Sequence, residues 1–193
     1  MKKIILASTS PRRHQILKAF GIKFEYIKPR LHEGRAAAKL GTKDPIKIAC
    51  GLSYAKAKSV LNKAKEGIIL GSDTIVILRG KIIGKPRSKK HALEILLALS
   101  KSTHCVVTAV AFIDVRTSKT VITYDESYVT FRKLENIWIK NYIETNHVMD
   151  KAGAYAVQEN SDPFIKKIHG SYYNVVGLPI EKVKYVLSHW DKL

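Results

Sequence analysis

The first hundred residues alternate short apolar runs with amphipathic stretches, the pattern of strands exchanging with helices. Ile4 to Ala7 is an apolar run of strand type, followed by Ser8-Thr9-Ser10-Pro11 and a helix that runs to about Phe20 and closes at Gly21. Ser10 is placed to cap that helix, and Pro11 to occupy its first position, where a missing N–H does no harm. Lys23 to Ile27 reads as a second strand. From Pro29 to Lys43 the chain is polar and basic without clear periodicity, which reads as a mobile loop.

Asp44-Pro45 then opens a helix that places Ile46, Ala49, Cys50, Ser53, Ala57, Val60 and Leu61 on one face. Ile68 to Leu78 reads as a strand that turns at Arg79-Gly80 into Lys81 to Ile83. Ser88 caps a helix with the apolar stripe Ala92, Ile95, Leu96 and Leu99. His104 to Asp114 and Thr120 to Phe131, separated by Thr117-Ser118, have the form of an antiparallel pair. Glu135 to Glu144 is expected to be helical, and Ala154 to Gln158 and Phe164 to Ile168 extended. Pro179 starts a final helix with Val183, Val186, Leu187 and Trp190 inward. These elements predict an α/β fold with a mixed sheet, in one domain over residues 1–193.

Composition narrows the class. With 46% hydrophobic and 26% charged residues among 193, the chain is a globular protein, and disordered or collagen-like readings fall away. Lys2 and Lys3 precede an apolar stretch of only Ile4 to Ala7, short of the about 20 residues that span a bilayer and short of a signal peptide. Cys50 and Cys105 form no CxxC pair and suit a reducing compartment, so a cytoplasmic protein with two buried thiols is expected. Charge is the abnormal bulk property: 34 Lys and Arg against 16 Asp and Glu give +18. Residues 1–66 alone hold 16 basic and 4 acidic side chains. Such a field concentrates anions, whether nucleotides, nucleic acid or anionic lipid; solvated surface lysines are the plainer account.

Two segments carry candidate chemistry. Ser8-Thr9-Ser10-Pro11-Arg12-Arg13 lies between a strand and a helix, where free backbone N–H groups and the helix dipole favour an anion and two arginines match phosphate geometry. An ordinary helix cap with two surface arginines fits the same residues. Asp73, in Gly71-Ser72-Asp73-Thr74, interrupts an apolar run, so its carboxylate needs a partner, a metal or a cleft. Lys85 ends a strand in Gly84-Lys85-Pro86. Lys56 lies beside the inward stripe of its helix, as a snorkelling lysine or a functional one. Glu33 is an isolated acid in the basic loop, a ligand or a counter-charge. No HExxH, GxxxxGK[ST] or GxSxG occurs, and the seven histidines show no ligand spacing. A metal, where one is used, is then of the hard, oxygen-bound magnesium type.

Taken together, Ser8-Thr9-Ser10-Pro11-Arg12-Arg13, Ser72-Asp73-Thr74, Gly84-Lys85-Pro86, Thr130-Phe131-Arg132, Asp150-Lys151-Ala152-Gly153-Ala154-Tyr155 with Gln158, and Val175-Val176-Gly177-Leu178-Pro179 stand in the order of the Maf family, which the chain resembles over nearly its whole length. The resemblance implies a Maf/ITPase-like α/β fold, a mixed twisted sheet flanked by helices with two lobes around a central cleft. It also implies hydrolysis of a nucleoside triphosphate between its α and β phosphates. It makes Asp73 the general base and Arg12, Arg13, Lys56 and Lys85 the phosphate-binding residues, with Ser8 in the substrate-binding set, and it maps the family's loop Glu onto Glu33. Because a triphosphate carries more charge than two arginines and two lysines neutralise, a divalent cation, Mg or Mn, is expected, with Glu33 and Asp73 its candidate ligands. Arg12, Thr74 and Gln158 read like the specificity residues of the dTTP/UTP branch. His32 precedes Glu33 where the family usually has an acid, and Ala156 stands where Gly is frequent.

The expected partner is the nucleotide itself, with no membrane, and with a homodimer left open. A nucleic-acid-binding module is the less favoured reading, since aromatic residues make up only 8% and do not interleave with the basic ones. A regulator that binds nucleotide without turnover keeps the same site.

Overall fold

The computed structural model describes residues 2–157 and 162–193. Its elements are β1 (Ile4–Ala7), α1 (Pro11–Ala19), β2 (Phe24–Tyr26), α2 (Glu33–Lys39), α3 (Pro45–Lys58), β3 (Ile68–Leu78), β4 (Lys81–Ile83), α4 (Lys89–Leu99), β5 (Thr103–Asp114), β6 (Thr120–Phe131), α5 (Asn136–Thr145), β7 (Ile165–His169), α6 (Tyr172–Val176) and α7 (Ile180–Ser188). Seven strands form a mixed sheet in the order β2-β1-β3-β5-β6-β7, with β4 paired to β3. The β1–β2 and β1–β3 pairs are parallel, and β3–β4 and β6–β7 antiparallel. β5 and β6 are neighbours joined by five residues, too few for a parallel crossover, and Asp114 N donates to Lys119 O at 2.9 Å across their turn.

The chain divides into two compact units, the first from residues 2–73, 108–125 and 177–193, the second from 74–107 and 126–176. In the first, the wholly buried β1 is a central parallel strand, and Ile5, Ala7, Ala57, Val60, Ile69 and Ile113 pack as its core. In the second, α4 and α5 pack with β6 around Leu96, Leu99, Phe131, Ile139 and Phe164. Asn174, fully buried, ties α6 down by donating from Nδ2 to Val106 O at 2.9 Å and to Ser127 Oγ at 3.0 Å. Among the described residues, no helix is long and apolar enough to cross a membrane.

Four expectations need correction. The segment 29–43 is not a loop throughout: it holds α2, whose first turn is capped by His32 Nδ1 accepting from Arg35 N at 3.3 Å. Ala154 to Gln158 is not a strand where described; Ala152–Ala154 is a 3-10 turn with Gly153 at φ +75°. The thiols of Cys50 and Cys105 are free, as expected, but half-buried rather than buried. Ser10 occupies the cap position of α1, yet its side chain makes no cap bond.

Candidate active site

The first unit gathers the cluster that matters. β1 and β3 are paired from Ile4 with Ile68 to Ala7 with Gly71, so Ser8 and Ser72 leave that paired stretch together. The carboxyl ends of parallel strands are where α/β sheets meet their ligands. Ser8 is buried, and its Oγ accepts from Ser10 N at 3.1 Å, fixing the turn that leads into α1. The same oxygen accepts from Arg13 Nη1 at 3.3 Å. Arg13 also donates from Nε to Gly177 O at 2.8 Å, and Ser72 Oγ donates to that carbonyl at 3.2 Å. Gly177 has φ +119°, a backbone region that side-chain-bearing residues avoid, which explains a glycine in Val-Val-Gly-Leu-Pro. Arg13 is therefore held by its neighbours rather than waving on the surface, and the plain helix cap does not describe it. His14, which the sequence did not single out, donates from Nε2 to Ser8 O at 3.0 Å and packs its ring on Phe24 and Tyr26.

Lys56 is not a snorkelling lysine. It lies in the buried stripe of α3 with Ala49, Leu52, Ser53 and Ala57, and is only 7% exposed. Its Nζ is 2.5 Å from Asp73 Oδ1 and 2.8 Å from Glu33 Oε1, so one ammonium holds both candidate carboxylates. Local packing puts it there. A Cβ on Gly71 would stand 2.3 Å from Ser53 O and 2.7 Å from Ala57 N, so only glycine lets α3 approach β3 this closely. Glu33 arrives on the first turn of α2, and Leu40, just past that helix, covers Gly51 of α3.

Asp73, also 7% exposed, has its pKa raised. Burial is the largest cause; the Lys56 and Arg13 charges pull it down and Glu33 pushes it up. Desolvation thus outweighs the nearby cations. Burial likewise lowers the pKa of Arg13, with Asp73 working against the shift and Arg12 adding to it. Among the described residues no three His, Cys, Asp or Glu side chains stand together, so there is no all-protein metal cage. Glu33 and Asp73 do fit a hard octahedral cation, which is commonly bound by one or two carboxylates and completed by phosphate oxygens and water.

The remaining expected residues belong to the second unit. Thr74 follows Asp73 along β3 and is half-buried; Lys85 is exposed beyond β4. Gly153 N donates to Gly84 O at 3.2 Å, which ties the Asp-Lys-Ala-Gly-Ala-Tyr segment to the turn that carries Lys85. Tyr155 of that segment bonds His104 Nε2 through its hydroxyl at 2.7 Å. Gln158 lies outside the described residues. Gly71 and Gly177 are the positioning residues that sequence reasoning passed over; a glycine inside an apolar strand was the available signal for the first.

A family model described as Maf-like protein matches residues 3–190. A dTTP/UTP pyrophosphatase of Alkaliphilus oremlandii is 43% identical over 99% of this chain and 98% of its own. One of Aquifex aeolicus is 41% identical over 99% of this chain and 97% of its own. In fold, the chain is similar to the Ham1 protein of Staphylococcus aureus, with a TM-score of 0.52 at 10% identity over 97% of this chain and 98% of that one. A family match over nearly every residue, with relatives above 40% identity at full length, establishes that the chain belongs to the Maf family.

Proposed function

We propose that the protein is a cytoplasmic nucleoside triphosphate pyrophosphatase that hydrolyses dTTP and UTP to the monophosphate and diphosphate, removing excess or non-standard nucleotides. The reading rests first on full-length relatives that bear the name dTTP/UTP pyrophosphatase. The Arg13, Lys56, Glu33 and Asp73 cluster supports it, since two cationic side chains stand next to a buried carboxylate.

In this mechanism Arg13, steered by Ser8 and Gly177, meets the phosphate chain with Arg12 beside it. Asp73 takes the proton of the water that attacks the α-phosphorus. Its Oδ1 is bonded to Lys56, so Oδ2 is the oxygen that accepts the proton. A raised pKa makes Asp73 a stronger base than an ordinary carboxylate. Glu33 and Asp73 would hold a divalent cation of the Mg or Mn type, which spreads the charge of the reacting phosphates. Lys85 adds a phosphate contact. Arg12, Thr74 and Gln158 read the pyrimidine, the amide of Gln158 both donating and accepting.

The test is a panel of nucleoside triphosphates with Mg²⁺ or Mn²⁺, assayed separately for diphosphate and orthophosphate. Diphosphate from dTTP and UTP ahead of ATP and GTP is expected. Equal rates on all four contradict the pyrimidine preference, and binding without product moves the protein to the regulator class.

A further inference from the structure

Two acids expected to hold a metal are held by a lysine instead. Lys56 Nζ lies 2.5 Å from Asp73 Oδ1 and 2.8 Å from Glu33 Oε1, and a cation bridging those two oxygens at about 2.1 Å would overlap the ammonium. The lysine cannot simply swing into solvent. It is buried, and α3 is pressed on β3 at Gly71, where even a methyl group would meet backbone 2.3 Å away. Moving it off the carboxylates strands a buried charge, which is costly unless another anion takes it.

We propose that Lys56 is a built-in cation that occupies the metal position of the nucleotide-free enzyme, so that metal enters only together with the triphosphate. The proposal rests on the function proposed above and adds an order of events to it. The charges support that order. Lys56 and Arg13 already balance Glu33 and Asp73, with Arg12 close by, so a bare divalent ion would add two positive charges to a group with no net negative charge while displacing a paired ammonium. A triphosphate alters this: its oxygens give Lys56 a new partner as it releases the carboxylates, and its charge accompanies the metal. Lys56 then changes from a tether of the two acids to a phosphate ligand within one binding step.

The test is Mn²⁺ binding followed by loss of the free-ion electron paramagnetic resonance signal, without nucleotide, on the wild-type protein, Lys56→Gln and Lys56→Met, each checked for folding by circular dichroism. Wild type should show no saturable site over the range in which the variants bind one Mn²⁺ about ten- to a hundredfold more tightly, the scale of one charge-assisted contact. Adding Glu33→Gln to Lys56→Gln should remove the gained site. Wild type should gain Mn²⁺ binding when a non-hydrolysable dTTP analogue is added. A saturable Mn²⁺ site in nucleotide-free wild type as tight as in the variants overturns the proposal, and so do folded variants that bind no better than wild type. Should neither variant fold, the wild-type titrations with and without analogue decide. None of the nucleotide-free titrations needs turnover: a protein inactive on every triphosphate yet showing the gained Mn²⁺ site would sink the pyrophosphatase reading and keep the role of Lys56.

Discussion

Gly71→Ala is the perturbation that tests how the site is built, because it adds one methyl group and touches none of the reacting side chains. The new Cβ would lie 2.3 Å from Ser53 O, 2.7 Å from Ala57 N and 3.0 Å from Ala57 Cβ, where ordinary contact begins at 3.4 Å. Two of these neighbours are backbone, so no rotamer change relieves the clash, and α3 must retreat from β3 by about 1 Å. Overpacking of this kind costs about 1 to 3 kcal/mol. For a chain of this size each kcal/mol lowers the melting temperature by about 2 to 4 °C. The same retreat opens the Lys56–Asp73 contact, and displacements of about 1 Å at a reacting centre can cost about 10²-fold in rate. Gly51→Ala is the matched control. The atoms nearest its Cβ belong to the Leu40 side chain, from 2.6 Å, and that side chain can rotate away. Thermal melts and kcat/KM for dTTP on both variants check the argument. Wild-type melting and turnover in Gly71→Ala, or a loss in Gly51→Ala equal to that in Gly71→Ala, would refute it.

Asp73→Asn should lower kcat by about 10²- to 10⁴-fold, the usual worth of a general base, without loss of fold. It should also melt at or above wild type near neutral pH. The folded pKa of Asp73 is raised, so its stabilising contribution is present below the ordinary carboxylate range and is lost as pH rises through the folded value; melts at acid and neutral pH should show the two proteins converging in acid. Arg13→Ala should cut kcat/KM by about ten- to a hundredfold, the value of one charge-assisted contact of about 1.5 to 3 kcal/mol, and unchanged kinetics would place Arg13 outside the substrate site. Treatment with EDTA should abolish turnover and added Mg²⁺ or Mn²⁺ restore it; full activity after metal-free dialysis would remove the metal from the mechanism.

Most of the elements were legible because their side chains alternate strongly. Ile68–Leu78, Lys81–Ile83 and the Ala92, Ile95, Leu96 and Leu99 stripe occur where periodicity places them. α2 escaped because Glu33–Lys39 has no buried residue to mark a face; it depends on a histidine cap and on Leu40 over Gly51, a contact made by tertiary packing. Ser10 makes no cap bond although it holds the cap position, because a cap depends on local backbone and side-chain geometry that a hydroxyl residue in the sequence does not reveal. Lys56 could be placed beside the buried stripe, yet its partners lie 17 and 23 positions away and no local pattern marks them. Asp73 was legible as an anomaly, an acid in an apolar strand. The direction of its pKa was not, since burial and nearby cations oppose each other and only the packed structure shows which prevails.

Hydrolysis of dTTP in ¹⁸O-enriched water, with products resolved by mass spectrometry, tests the central claim most directly. Attack at the α-phosphorus by water activated at Asp73 puts the label in the thymidine monophosphate and leaves the diphosphate unlabelled. Label in the diphosphate, or orthophosphate as the first product, would contradict the account.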